Sequence, residues 1–127
     1  MFNINIKHTT GEFMKTIIAG GRDQKLTEED IAYLNMLDIT EVVSGCAKGI
    51  DTEGEIWANE SNIPVKRFPA EWKLYGKVAG FMRNAQMAEY ADVLVAFPGG
   101  NGTNHMVNTA TKHGLIIHDR RSRRAGV

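Results

Sequence analysis

A single cysteine, Cys46, stands in the 127-residue chain, so no internal disulfide can form and a cysteine-based zinc cluster is excluded. That usage predicts a reducing, cytoplasmic setting. The four histidines, His8, His105, His113 and His118, show no paired ligand spacing, and neither a metal nor a cofactor is expected. No apolar run approaches the roughly 18 residues of a membrane-crossing helix, and no stretch has the form of a signal peptide, so no membrane partner is expected. Formal net charge is zero, so no global field draws the chain to nucleic acid. Repeats and low-complexity segments are missing too, which excludes solenoids and disordered arrays.

What is present is ordinary globular material with unusual punctuation. Hydrophobic residues make up 43% and charged residues 24%, enough for one domain that buries about two-thirds of its unfolded surface. Short apolar runs alternate with helical patterns. Lys15–Ala19, Glu41–Ser44, Ile63–Phe68, Ala91–Phe97 and Leu115–Ile117 read as strands. Thr27–Leu37, Asp51–Glu60, Val78–Tyr90 and Asn104–His113 read as helices, and 69–76 as a loop. Thr27 is the expected N-cap of the first helix, with Ile31, Leu34 and Leu37 on its packed face. In the second helix Ile56, Trp57 and Ala58 are available for packing. Gly114 is the expected C-terminal stop of the last. Strict alternation predicts an α/β, Rossmann-like three-layer fold with a mainly parallel sheet of about five strands and helices on both faces. Residues 14–118 form this domain. Residues 1–13, where Phe2, Ile4 and Ile6 alternate with polar residues, are an N-terminal extension or an edge strand. Residues 119–127 are a basic C-terminal tail, either solvated or an arm that touches phosphate.

Three glycine-rich turns follow strands: Gly20-Gly21-Arg22-Asp23, Ser44-Gly45-Cys46-Ala47-Lys48-Gly49-Ile50-Asp51 and Pro98-Gly99-Gly100-Asn101-Gly102-Thr103. Glycine lets a backbone approach an anion closely, and a helix start offers N–H groups and a positive dipole end. In a parallel sheet all three turns lie at strand carboxyl ends and can converge on one crevice. They predict a nucleotide-type small-molecule site, with nucleic acid a less favoured partner.

These segments, with Pro69-Ala70-Glu71-Trp72 and Ala79-Gly80-Phe81-Met82-Arg83-Asn84, resemble the YspA-like (YpsA-related) branch of the SLOG superfamily across roughly residues 14–118. The resemblance implies a Rossmann-like fold that binds nucleotides or nucleotide-derived ligands, ADP-ribose-like ones included, and often a phage or bacterial source. Relatives often dimerise through helices flanking the site, which leaves a homo-oligomer open. Arg83-Asn84-Ala85-Gln86-Met87, Asp92 and Pro98–Thr103 are similar to the Lonely Guy phosphoribohydrolases, which cleave the N-glycosidic bond of nucleoside 5′-monophosphates. The glutamate of that motif falls at Met106, and a thioether can neither donate nor accept the proton. Ser44–Asp51 is similar to a signature of the DNA-processing protein DprA, a single-stranded DNA binder.

The expected ligand-binding residues are Gly20, Gly21, Arg22, Asp23, Ser44, Gly45, Lys48, Asp51, Trp72, Arg83, Asn84, Pro98, Gly99, Gly100, Asn101, Gly102 and Thr103. Arg83 is the leading functional side chain, as a phosphate clamp or as half of a salt bridge with Glu71 or Glu89. Asp51 accepts a ribose hydroxyl or caps a helix. Trp72 stacks on a base or closes as a lid. If the chain is an enzyme, Glu71 or His105 replaces the missing glutamate beside Arg83. Met82 and Met87 read as core.

Overall fold

The computed structural model describes residues 14–122; residues 1–13 and 123–127, including most of the basic tail, lie outside them. The chain opens on β1 (Lys15–Ala19), whose Lys-Thr-Ile-Ile-Ala run is buried along almost its whole length, as a central parallel strand requires. After the first glycine turn comes α1 (Glu28–Met36). Thr27 caps it: the Asp30 N–H donates to Thr27 Oγ1 (3.1 Å), and the Thr27 N–H donates to the buried Asp30 carboxylate (2.9 Å). Then follow β2 (Glu41–Ser44), α2 (Ile50–Glu60) and β3 (Val65–Arg67). A short helix α3 (Trp72–Tyr75) and a 3-10 turn (Gly76–Val78) lead into α4 (Ala79–Tyr90). The chain ends with β4 (Val93–Ala96), α5 (Asn101–Lys112) and β5 (Ile116–Asp119).

All five strands are parallel, in the order β3-β2-β1-β4-β5. Period-two alternation divides their side chains between two cores. Ile18, Val42 and Val95 face α1 and α2, and pack on Leu34, Ile50, Trp57 and Ala58. Ile17, Val43 and Leu94 face α4 and α5, and pack on Met87, Ala88, Met106 and Ala110. The result is the expected three-layer α/β fold. The chain changes direction between β1 and β4, and there the helices leave the sheet toward opposite faces.

Some local expectations are corrected. Residues 72–76 are helical or 3-10 rather than loop, although no side chain of α3 is buried. Helix α5 begins at Asn101, three residues before the predicted start, because the glycine turn itself supplies its first turn. Strand β5 extends to Asp119. Arg120 N–H donates to Ala96 O (2.7 Å), and Arg121 binds Asp119 and Asn104, so the start of the basic tail belongs to the folded domain. Ile31, Ile56 and Met82 are exposed, whereas Met87 is buried in the core. Helix α2 packs through Trp57 and Ala58, as expected, joined by Ile50 and Gly54, with Trp57 Nε1 donating to Asn35 of α1 (3.0 Å).

Candidate functional site

The three glycine turns are joined by their own backbones. Gly21 N–H donates to Pro98 O (2.9 Å), which ties the first turn to the third. Ile50 N–H donates to Gly21 O (3.2 Å), which ties the second to the first. Gly49 has φ +76°, and a Cβ there would lie 2.3 Å from Gly21 O, so only glycine permits this approach. A Cβ on Gly99 would lie 2.8 Å from Gly21 N and 2.2 Å from Thr103 Oγ1. These two glycines serve turn-to-turn contact. Gly100 and Gly102 differ: a Cβ on either would meet nothing within 4 Å.

Beyond the carboxyl ends of β1 and β4 the turns enclose a cleft of about 310 Å³. Gly20, Gly21 and Arg22 line one wall, and Gly100, Gly102 and Thr103 line another. Gly45 and Asp51 come from the second turn, Trp72 from α3, and Arg83 and Asn84 from α4. Helix α5 points its N-terminus here with Gly100 as N-cap and no side-chain capping bond, which leaves its first-turn dipole open to an anion.

Arg83 is held from two sides. Its Nη1 donates to Gly45 O and its Nε to Asn84 Oδ1 (3.0 Å). Asn84 is itself buried; its Nδ2 donates to His105 Nδ1 (3.1 Å) and to Gly102 O (3.4 Å). The guanidinium is thus positioned by a relay that joins α4, α5 and the second turn. Neither Glu71 nor Glu89 pairs with it, and no carboxylate of the described residues lies within ion-pair distance. Burial lowers its pKa, with the nearby Asp51 acting the other way. A Cβ on Gly45 would lie 2.7 Å from Arg83 Nη1 and 2.9 Å from Asp51 Oδ2, so glycine at 45 allows the two side chains to converge.

Asp51 is 9% exposed and is the sole carboxylate among the residues lining the cleft. It sits in the first turn of α2, where Gly49 is the N-cap, and its Oδ2 accepts the Ala47 N–H (3.2 Å). Burial pushes its pKa up to about 6, against the opposing pull of that N–H and of Arg83.

Other expected residues lie elsewhere. Glu71 occupies the N-cap position of α3, exposed and outside the cleft. His105 lies behind the wall, stacked on Phe81 with ring centroids 4.0 Å apart, and burial lowers its pKa. Its Nδ1 faces the Asn84 amide, so it braces Arg83 through Asn84. Ser44 is buried and committed to Glu55 (2.5 Å) and to the Cys46 N–H (3.0 Å). Pro98 and Gly99 line a shallow surface on the far side of the third turn, and Asp23 and Asn101 are exposed. Lys48 lines a second, smaller cavity beside the first.

Lys77 and Phe81 line the cleft, although neither is among the expected ligand-binding residues. Lys77 falls between the loop read over 69–76 and the helix read from Val78, in the 3-10 turn. Phe81 follows no apolar period because its partner is the ring of His105, two elements away. Met106, set apart in the sequence as the residue at the glutamate position, is 1% exposed and lines the floor of the cleft. No cluster of three or more His, Cys, Asp or Glu with metal-binding geometry occurs among the described residues, and none of their helices is long and apolar enough to cross a membrane.

No family model matches the chain, and no solved structure matches it. Over 84 residues it is 38% identical to the Gene 61 protein of Mycobacterium phage D29, an alignment covering 60% of this chain and 67% of that protein. The chain belongs to the family of that phage protein.

Proposed function

We propose that the cleft binds a nucleotide or a nucleotide-derived ligand, and that the protein senses, sequesters or processes it. One observation carries this reading: Arg83, held without a carboxylate partner, faces the same cleft as the uncapped N-terminus of α5 and the unfilled spaces at Gly100 and Gly102. A guanidinium and a helix start are complementary to phosphate, and a missing Cβ leaves room for it to approach the backbone. Trp72, half-exposed at the rim, offers a flat apolar surface to a base. The test is thermal-shift screening against mono-, di- and cyclic nucleotides and ADP-ribose, repeated on Arg83→Ala. A ligand present at 100 times its dissociation constant adds about 2.7 kcal/mol. The expected result is a hit that Arg83→Ala abolishes; a panel without any hit defeats the reading.

Asp51 favours a second reading, N-glycosidic hydrolysis. Neither Glu71 nor His105 reaches the cleft, whereas Asp51 lines it and holds its proton into the mildly acidic range. Such a carboxyl can protonate a departing base while water adds at the sugar carbon. Incubating each ligand hit and measuring free base checks it: release lost in Asp51→Asn supports hydrolysis, and no release from the native protein leaves a binder.

A further inference from the structure

The main cleft is one lobe of a longer crevice. A second cavity of about 230 Å³ adjoins it, and the two share Arg22, Gly45, Ala47, Trp72 and Arg83 as common wall. Past that waist the second lobe is lined by Lys48, Cys46 and the loop at Pro69 and Ala70. Each lobe has a lysine of its own, Lys77 in the first and Lys48 in the second. Neither lysine forms an ion pair with a described residue. The waist holds two guanidinium groups, and Asp51, in the first lobe, is the single carboxylate lining either. The chain as a whole has zero net charge, so this excess of cations is local. A single phosphate at the start of α5 engages the first lobe alone and leaves Lys48 unused. Between the lobes stands Trp72, a ring able to hold a base with charge on both sides.

We infer that the crevice takes a nucleotide carrying two separate phosphate groups, one at the N-terminus of α5 beside Arg83 and the other beyond Trp72 at Lys48. The inference rests on the nucleotide reading and narrows it to bisphosphate or dinucleotide chemistry. A free nucleotide of this kind is the ligand, rather than a long strand, because a chain of zero net charge supplies no global field to track a polymer backbone.

Isothermal titration checks this with four pairs of probes, the nucleoside 5′-monophosphate and the 3′,5′-bisphosphate of each common base, joined by a dinucleotide and a ten-residue oligonucleotide. For the preferred base the bisphosphate binds at least about tenfold more tightly than the monophosphate, the scale of one charge-assisted contact. In Lys48→Ala that ratio falls toward one; Lys48 is an exposed turn residue, so an unchanged melting temperature verifies the fold. Equal affinities in the native protein, or a ratio that survives Lys48→Ala, overturn the two-lobe ligand and leave a mononucleotide site standing. Tightest binding by the oligonucleotide overturns it in favour of a strand end. If no probe binds in either phosphorylation state, the nucleotide reading fails and this inference with it.

Discussion

Asp51 shows how one side chain links stability to the site. Its carboxyl titrates near 6 in the folded chain, against 3.8 in the absence of structure, chiefly because it is buried. Between those values the folded protein retains a proton that the unfolded chain has released, so stability falls as pH rises through this window and levels off above it. A difference of about two units corresponds to about 3 kcal/mol at most. Asparagine keeps the shape and an acceptor for the Ala47 N–H. Asp51→Asn is therefore expected to be more stable than the native protein at pH 7 by about 2 kcal/mol, and nearly equal to it at pH 4. Denaturant unfolding of both proteins across that range measures the difference. Asp119, held below the usual carboxylate range by its bonds to Arg121, contributes the opposite trend at lower pH, but equally in both proteins. A constant difference at all pH values would mean that Asp51 is not the titrating group. The sequence marked Asp51 as ribose acceptor or helix cap; its burial beside Arg83 comes from the fold of the second turn and could not be read locally.

Helix α5 separates two kinds of glycine. Gly99 precedes it in contact with Gly21 and Thr103, whereas Gly102 lies within its first turn facing open space. Alanine is a better helix residue than glycine by about 0.5–1 kcal/mol, and nothing in the described structure obstructs a Cβ at 102. Gly102→Ala is expected to raise the stability of the free protein by that amount while weakening ligand binding. Gly99→Ala must push Thr103 or the first turn aside, and should destabilise the fold. Melting curves with and without a ligand hit distinguish these outcomes; full ligand binding in Gly102→Ala would show that the space at 102 is not used. The glycines were legible because strand, turn and helix occur in unbroken order, and the same order gave the parallel three-layer sheet. The helical stretch at 72–76 was not legible, since its apolar residues Trp72, Leu74 and Tyr75 are exposed and follow no buried face. Likewise the early start of α5 was hidden, because Asn101, Gly102 and Thr103 are poor helix formers taken into the helix by the turn before them.

Across the whole molecule, charge divides between a neutral fold and a cationic crevice. The described ion pairs, Arg67–Glu55 and Arg121–Asp119, lie at the surface, and each contributes little to stability. Cohesion comes instead from the two apolar cores on either face of the sheet, joined through β1 and β4. Burial of that kind is insensitive to moderate salt, whereas attraction between an anionic ligand and partly exposed cations is screened within about 8–10 Å. Raising sodium chloride from 0.05 M to 0.5 M should therefore move the melting temperature of the free protein by only about 2 °C, while a ligand hit loses about tenfold in affinity. Arg83→Ala should bind more weakly at low salt and lose less on salt addition, because one of the screened charges is gone. Parallel melting and titration series at the two salt concentrations check both halves. Salt-independent binding would mean that the ligand is held by the apolar surfaces of Trp72, Phe81 and Met106, with the cations serving only the architecture of the turns.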